Sequence, residues 1–132
     1  MNNANRRDLG VALLRYTIVG VFLYFGLSQL FSPADWVDFL PEIATTLPIA
    51  PQTLILMNGS FEVLFALALL AGAWTRVASA LLGVHLLIIG INLGWTSVGV
   101  RDLGLAVATI SLVLLGPDAW TIDSLRARRV IH

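Results

Sequence analysis

The amino-acid sequence predicts an all-α integral membrane protein: a bundle of four transmembrane helices with a short interfacial helix in the first outer loop. Three observations carry that prediction. Of 132 residues, 58% are apolar and only 12% charged, a balance far from that of a soluble globular domain. The apolar residues gather into four runs, at about residues 9–31, 51–74, 77–95 and 98–116, near the roughly 20 residues needed to cross about 30 Å of hydrocarbon. Six arginines (Arg6, Arg7, Arg76, Arg126, Arg128 and Arg129) flank these runs on one side of a four-pass chain, against Arg101 alone on the other. The arginine-rich side is therefore expected to be cytoplasmic, with both termini on it, in a plasma membrane of prokaryotic type. One domain accounts for the whole chain.

The first run follows Arg6 and Arg7. It is too long for the core of a cleaved signal, and no small-residue cleavage site follows it. "FSPADWVDFLP" closes it: Ser32 suits an N-cap, Pro33 the first helical position, and Asp35 stands three residues after the cap. Trp36, Phe39 and Leu40 share one face of the short helix that starts there, so it is expected to lie at the outer interface. Pro41, Pro48 and Pro51 then predict an extended return to the second run. Small residues mark close approaches in the third and fourth runs: Gly90 with Gly94, Ser79 with Gly83, and Gly104 with Ala108. "LFSPADW" and "LLGPDAW" both read as helix termination with an interfacial tryptophan.

Composition excludes several kinds of chemistry. With no cysteine there are no disulfides, thiolate nucleophiles, iron–sulfur clusters or covalent haem. All eight cations are arginine and eight acids cancel them, so no basic surface suggests nucleic acid. His85 is alone in its run and His132 is the last residue, which predicts no metal site and no bis-histidine haem. No phosphate loop or nucleophile–base motif occurs. Chemistry, if present, uses carboxylate, imidazole and guanidinium.

Every run carries one polar stripe. Arg15 and Gln29 are two heptads apart, with Phe22 between them; Asn58 and Glu62 are one turn apart; His85 and Asn92, and Asp102 and Thr109, are each seven apart. Such stripes turn inward in lipid-spanning helices. By depth, Arg15, Glu62 and His85 can meet near the middle and cytoplasmic half, while Gln29, Asn58, Asn92, Arg101 and Asp102 lie toward the outer face. Two readings stay open for Glu62. It is a site residue whose charge Arg15 sets, or it is one half of a structural Arg15–Glu62 ion pair. Asn92, inside its G-x-x-x-G, reads as an interhelical hydrogen bonder.

In order along the chain, "YFGLSQLFSPADWVDFLP", "MNGSFEVLFALALLAGAWTRVASALL" and "VRDLGLAVATISLVLLGPDAWTID" resemble segments of the DoxX-like family of small four-helix membrane proteins. The likeness rests on Phe25–Gly26, on Asn58, Gly59 and Glu62, on Gly72, Thr75 and Arg76, and on Arg101 to Leu105. Two positions depart from the family pattern. Gln29 stands where the family often has lysine, so no catalytic role of that lysine carries over, and Thr121–Ile122–Asp123 replaces Ser-Leu-Asp. The family's namesake is described as a membrane subunit of quinone-linked oxidoreductases, and other relatives act in receptor assembly and cargo handling. The resemblance thus implies a four-helix membrane fold and a small component of a respiratory or redox assembly. In this reading a polar cavity holds a quinone-like or other lipid-soluble molecule. Glu62 and His85 would handle protons, while Arg15, Gln29, Asn58, Asn92, Arg101 and Asp102 contact the ligand. With no second redox centre of its own, such a component needs a redox partner subunit. Membrane lipids and a second copy of the chain are the other expected partners. The alternative is a non-enzymatic assembly factor, chaperone or small-molecule carrier with a structural polar core.

Overall fold

The computed structural model describes residues 2–131; His132 lies outside them. All regular structure among the described residues is helical. Helix α1 (Asn3–Phe31) is capped by Asn2, whose side-chain oxygen accepts the Asn5 N–H at 2.9 Å. At about 1.5 Å per residue it is longer than the hydrocarbon is thick, so its first turns, with Arg6 and Arg7, project beyond the core. A 3₁₀ segment (Pro33–Phe39) and a four-residue helix α2 (Glu42–Thr45) form a strap across the end of the bundle. Helices α3 (Pro51–Ala71), α4 (Thr75–Leu93) and α5 (Ser97–Leu115) complete four helices long and apolar enough to cross a membrane. A final helix, α6 (Ile122–Val130), lies beyond them.

Helix α1 packs along α3 and α4 along α5, and contacts of α3 with α4 and of α1 with α5 close the ring. Glycine sets the first of these crossings. A Cβ on Gly59 would come within 2.8 Å of the Gly26 carbonyl oxygen, so the two backbones touch only because neither residue carries a side chain. In the α4–α5 pair a Cβ on Gly83 would meet Ile110, and one on Gly90 would meet Leu103. Between the four helices Ile18, Phe22, Ala66, Leu69, Leu82, Ala106 and Leu112 form a buried apolar layer. Tyr24, Leu64, Ile91 and Val107 are largely exposed on the outside, where hydrocarbon rather than water is the matching solvent.

Four details differ from the sequence reading. The short outer helix is 3₁₀ rather than α, and Ser32 makes no side-chain cap to it; a piece of only seven residues that starts at a proline favours the tighter i+3 bonding. The return segment is not extended throughout, because Pro41 opens helix α2, a position where its missing N–H costs nothing. Among the described residues Gly94 and Gly104 face no neighbour within 4 Å, so of the Gly90–Gly94 pair only Gly90 marks an approach, and the pairing of Gly104 with Ala108 marks none. Helix α6 is built by Thr121, whose hydroxyl accepts the Ser124 N–H.

Candidate functional site

The polar residues of the spans separate into two centres. The first lies at the strap end. Glu62 on α3 is 3% exposed and accepts on both oxygens: from Gln29 Nε2 at 3.3 Å on Oε2, and from Asn58 Nδ2 at 3.2 Å on Oε1. Asn58 also donates to Gln29 Oε1 at 2.6 Å, so the three side chains form a closed ring. The ring exists because Gly26 and Gly59 bring α1 and α3 together one turn away from Gln29 and Glu62. His85 on α4 places Nε2 3.5 Å from Glu62 Oε1, near enough for an ion pair when protonated but outside hydrogen-bond alignment, and among the described residues that nitrogen has no hydrogen-bond partner. The imidazole packs against Phe61 with ring centroids 4.7 Å apart and planes tilted by 45°.

This ring forms the floor of a partly open chamber of about 620 Å³, large enough for a drug-sized molecule. Phe22, Phe25, Trp36 and Phe39 supply its aromatic walls, and Asn58, Asn92, Arg101 and Asp102 are among its polar ones. The strap roofs it: Trp36 donates its indole N–H to Ser28 Oγ at 3.1 Å, meets the Phe25 ring edge to face and packs tilted against Phe39. Arg101 holds the buried Asp102 through Nε at 3.0 Å and Nη2 at 2.9 Å, and its guanidinium lies 4.8 Å above the Phe25 ring. Asn92 corrects an expectation. Its amide bonds back to the Ile88 carbonyl of its own helix rather than across to another, since its side chain lies on the exposed flank of α4 at the chamber edge.

The second centre lies at the arginine-rich end and corrects the expected Arg15–Glu62 pair. Arg15 is fully buried and its Nε donates to Asp118 Oδ2 at 2.8 Å, with Nη2 at 3.4 Å from Oδ1. Nη1 donates to the Leu69 and Leu70 carbonyls, each at 2.9 Å, at the end of α3. Leu69 is seven residues beyond Glu62, about 10 Å along the helix axis, and the apolar layer lies between. Arginine's long stem lets its head group reach toward the end of the span instead of the middle. The same end is tied down by the segment after α5. Asp123 accepts the backbone N–H groups of Trp74 at 3.0 Å and Thr75 at 2.7 Å, capping α4 from a distant stretch of chain, and its own N–H donates to the Gly72 carbonyl. Burial works against the Asp123 charge, but these hydrogen bonds and nearby Arg126 outweigh it and hold the carboxyl below its usual range. Arg7 donates to the Leu115 carbonyl and Arg76 to that of Val113. The beginning of α1 and the end of α5 are therefore at one end of the bundle.

Of the residues singled out in the sequence, Glu62, Gln29, Asn58 and His85 form one cluster, Arg101, Asp102 and Asn92 line the same chamber, and Arg15 stands apart. Sequence reading passed over Asp118 and Asp123, both hidden in a stretch that looks like simple helix termination. The signal available was an acid followed by Thr121 and Ser124, the residue types that hold tight turns and caps. A family model described as DoxX matches residues 10–95, well over half of the chain. No curated protein and no solved structure matches it.

Proposed function

Since the chain belongs to the DoxX family of membrane proteins, we propose that it is a small integral-membrane component of a respiratory or redox assembly that holds a quinone-like or other lipid-soluble molecule between its helices. The supporting observation is the buried Glu62 carboxylate, ringed by Gln29 and Asn58, on the floor of an aromatic-walled chamber. Flat rings and hydrogen-bonding groups are what a quinone headgroup requires, and Phe22, Phe25, Trp36 and Arg101 are of those kinds. A bound quinone would supply the electron chemistry. Glu62 and His85 hold and pass the proton, Gln29, Asn58 and Arg101 orient the headgroup oxygens, and the strap carrying Trp36 excludes water. Electrons come from a separate partner subunit. In this reading the arginine-rich end faces the cytoplasm of a prokaryotic-type cell and the chamber faces outward.

One observation favours a second reading. The Gln29–Asn58–Glu62 ring closes on itself, as a purely structural core would in an assembly factor, chaperone or carrier. Organic-solvent extraction of the purified protein, followed by ultraviolet and mass spectra, separates the two. A stoichiometric quinone in the extract supports the first reading; bulk phospholipid alone supports the second.

A further inference from the structure

Among the described residues, Glu62 is buried without a fixed cationic partner. Gln29 and Asn58 give it hydrogen bonds but no charge, and His85 supplies a positive charge only as the imidazolium. The rest of the chamber deepens the imbalance. Four carboxylates line it, Glu62 and Asp102 buried and Asp38 and Glu42 exposed on the strap, against the single guanidinium of Arg101 among the described residues, and that guanidinium is already committed to Asp102 and the face of Phe25. A buried carboxyl that stays ionised needs a counter-charge, and a cationic ligand in the chamber would supply it.

The walls suit such an occupant. Phe22, Trp36 and Phe39 surround the space with Phe25, and aromatic faces attract cations, most strongly where water is excluded. Arg101 over Phe25 is that interaction made once already inside the chamber. Ile55 and Leu86 offer hydrocarbon to the apolar part of a ligand. We infer that the chamber binds hydrophobic organic cations, with Glu62 as counter-charge and the aromatic side chains as the cage. The inference rests on the chamber being a ligand site and is independent of a redox role.

The test uses the purified full-length chain in detergent micelles, with tetraphenylphosphonium and tetraphenylborate as probes. These ions share size and shape and differ in the sign of their charge, and empty micelles correct for partitioning in equilibrium dialysis. Phosphonium should bind saturably at roughly tenfold or greater advantage over borate, and Glu62→Gln, which keeps the side-chain shape, should weaken it by about tenfold or more. Equal affinity for the two ions overturns the inference, as does undiminished phosphonium binding by the variant. Should Glu62→Gln melt well below the parent, the comparison of the two ions on the parent protein decides alone. A short-chain neutral quinone run in parallel separates this inference from the reading beneath it. Quinone bound without phosphonium overturns the inference and keeps the ligand chamber; neither bound overturns both.

Discussion

Replacing Arg15 by Met should destabilise the bundle without touching the chamber. Arg15 and Asp118 have no exposed side-chain surface, so the substitution leaves a carboxylate in the protein interior without its counter-ion and uncovers the Leu69 and Leu70 carbonyls. Breaking a buried pair from one side costs about 3–5 kcal/mol. At roughly 3 °C of melting temperature per kcal/mol for a chain of this size, the loss is about 10–15 °C. The assay is thermal unfolding in detergent of Arg15→Met, Asp118→Asn and the double variant. The double variant should lose less than the sum of the single losses by at least about 1 kcal/mol, because the uncompensated charge is gone. Combined with Glu62→Gln, by contrast, Arg15→Met should be additive within about 0.5 kcal/mol, since the two sites share no partner. A melting temperature for Arg15→Met within about 3 °C of the parent, or strong coupling to Glu62 instead of Asp118, would refute the assignment of two separate centres.

Three further outcomes are expected. Asp123→Ala should cost about 1 kcal/mol at neutral pH by uncapping α4. Because the folded carboxyl titrates below the usual 3.8, the cap contributes fully above that value and is lost as pH falls through the lower folded one; Asp123→Asn should remove this acid-side loss in melting curves taken across the range. Gly59→Val should force α1 and α3 apart at the Gly26 carbonyl and cost about 1–3 kcal/mol or more, and a melting temperature equal to the parent's would show that the crossing yields without cost. A reporter fused after the C-terminal residue should be active in the cytoplasm and one inserted near Thr45 outside; the reverse pattern would overturn the proposed orientation.

The four-helix membrane fold was legible because apolar runs and arginine placement report on depth, and depth is the dominant constraint in a bilayer. The inward turn of Gln29, Asn58 and Glu62 followed in the same way, but depth set Gln29 and Asn58 apart from Glu62, and the structure joins all three in one ring. What depth does not report is the direction in which a long side chain bends. Arg15 sits where it can serve either the middle of the bundle or its end, and the choice is made by Asp118, which falls after a glycine–proline break where periodicity stops. Asp123 escaped for a related reason. Capping is read from neighbouring residues, and here the cap of α4 comes from 48 residues away. Asn92 shows the opposite failure: of the two glycines that flank it only Gly90 meets a neighbour, and its amide is satisfied within one turn of its own helix.

The distance along the chain between Arg15 and Asp118 has a consequence for biogenesis. The partners are 103 residues apart, so the first span enters the membrane carrying a cation whose counter-ion has not yet been synthesised. At roughly 5–20 residues per second, about 5–20 seconds of translation separate the two. A cation at the centre of a span costs about 2.5–3.5 kcal/mol to insert, and Arg15, nearer the arginine-rich end and able to reach toward head groups and water, bears less than that during the interval. Locking of the bundle therefore waits for emergence of the segment after the last span, and a nascent chain interrupted before Asp118 would present quality-control proteases with inserted helices but no closure.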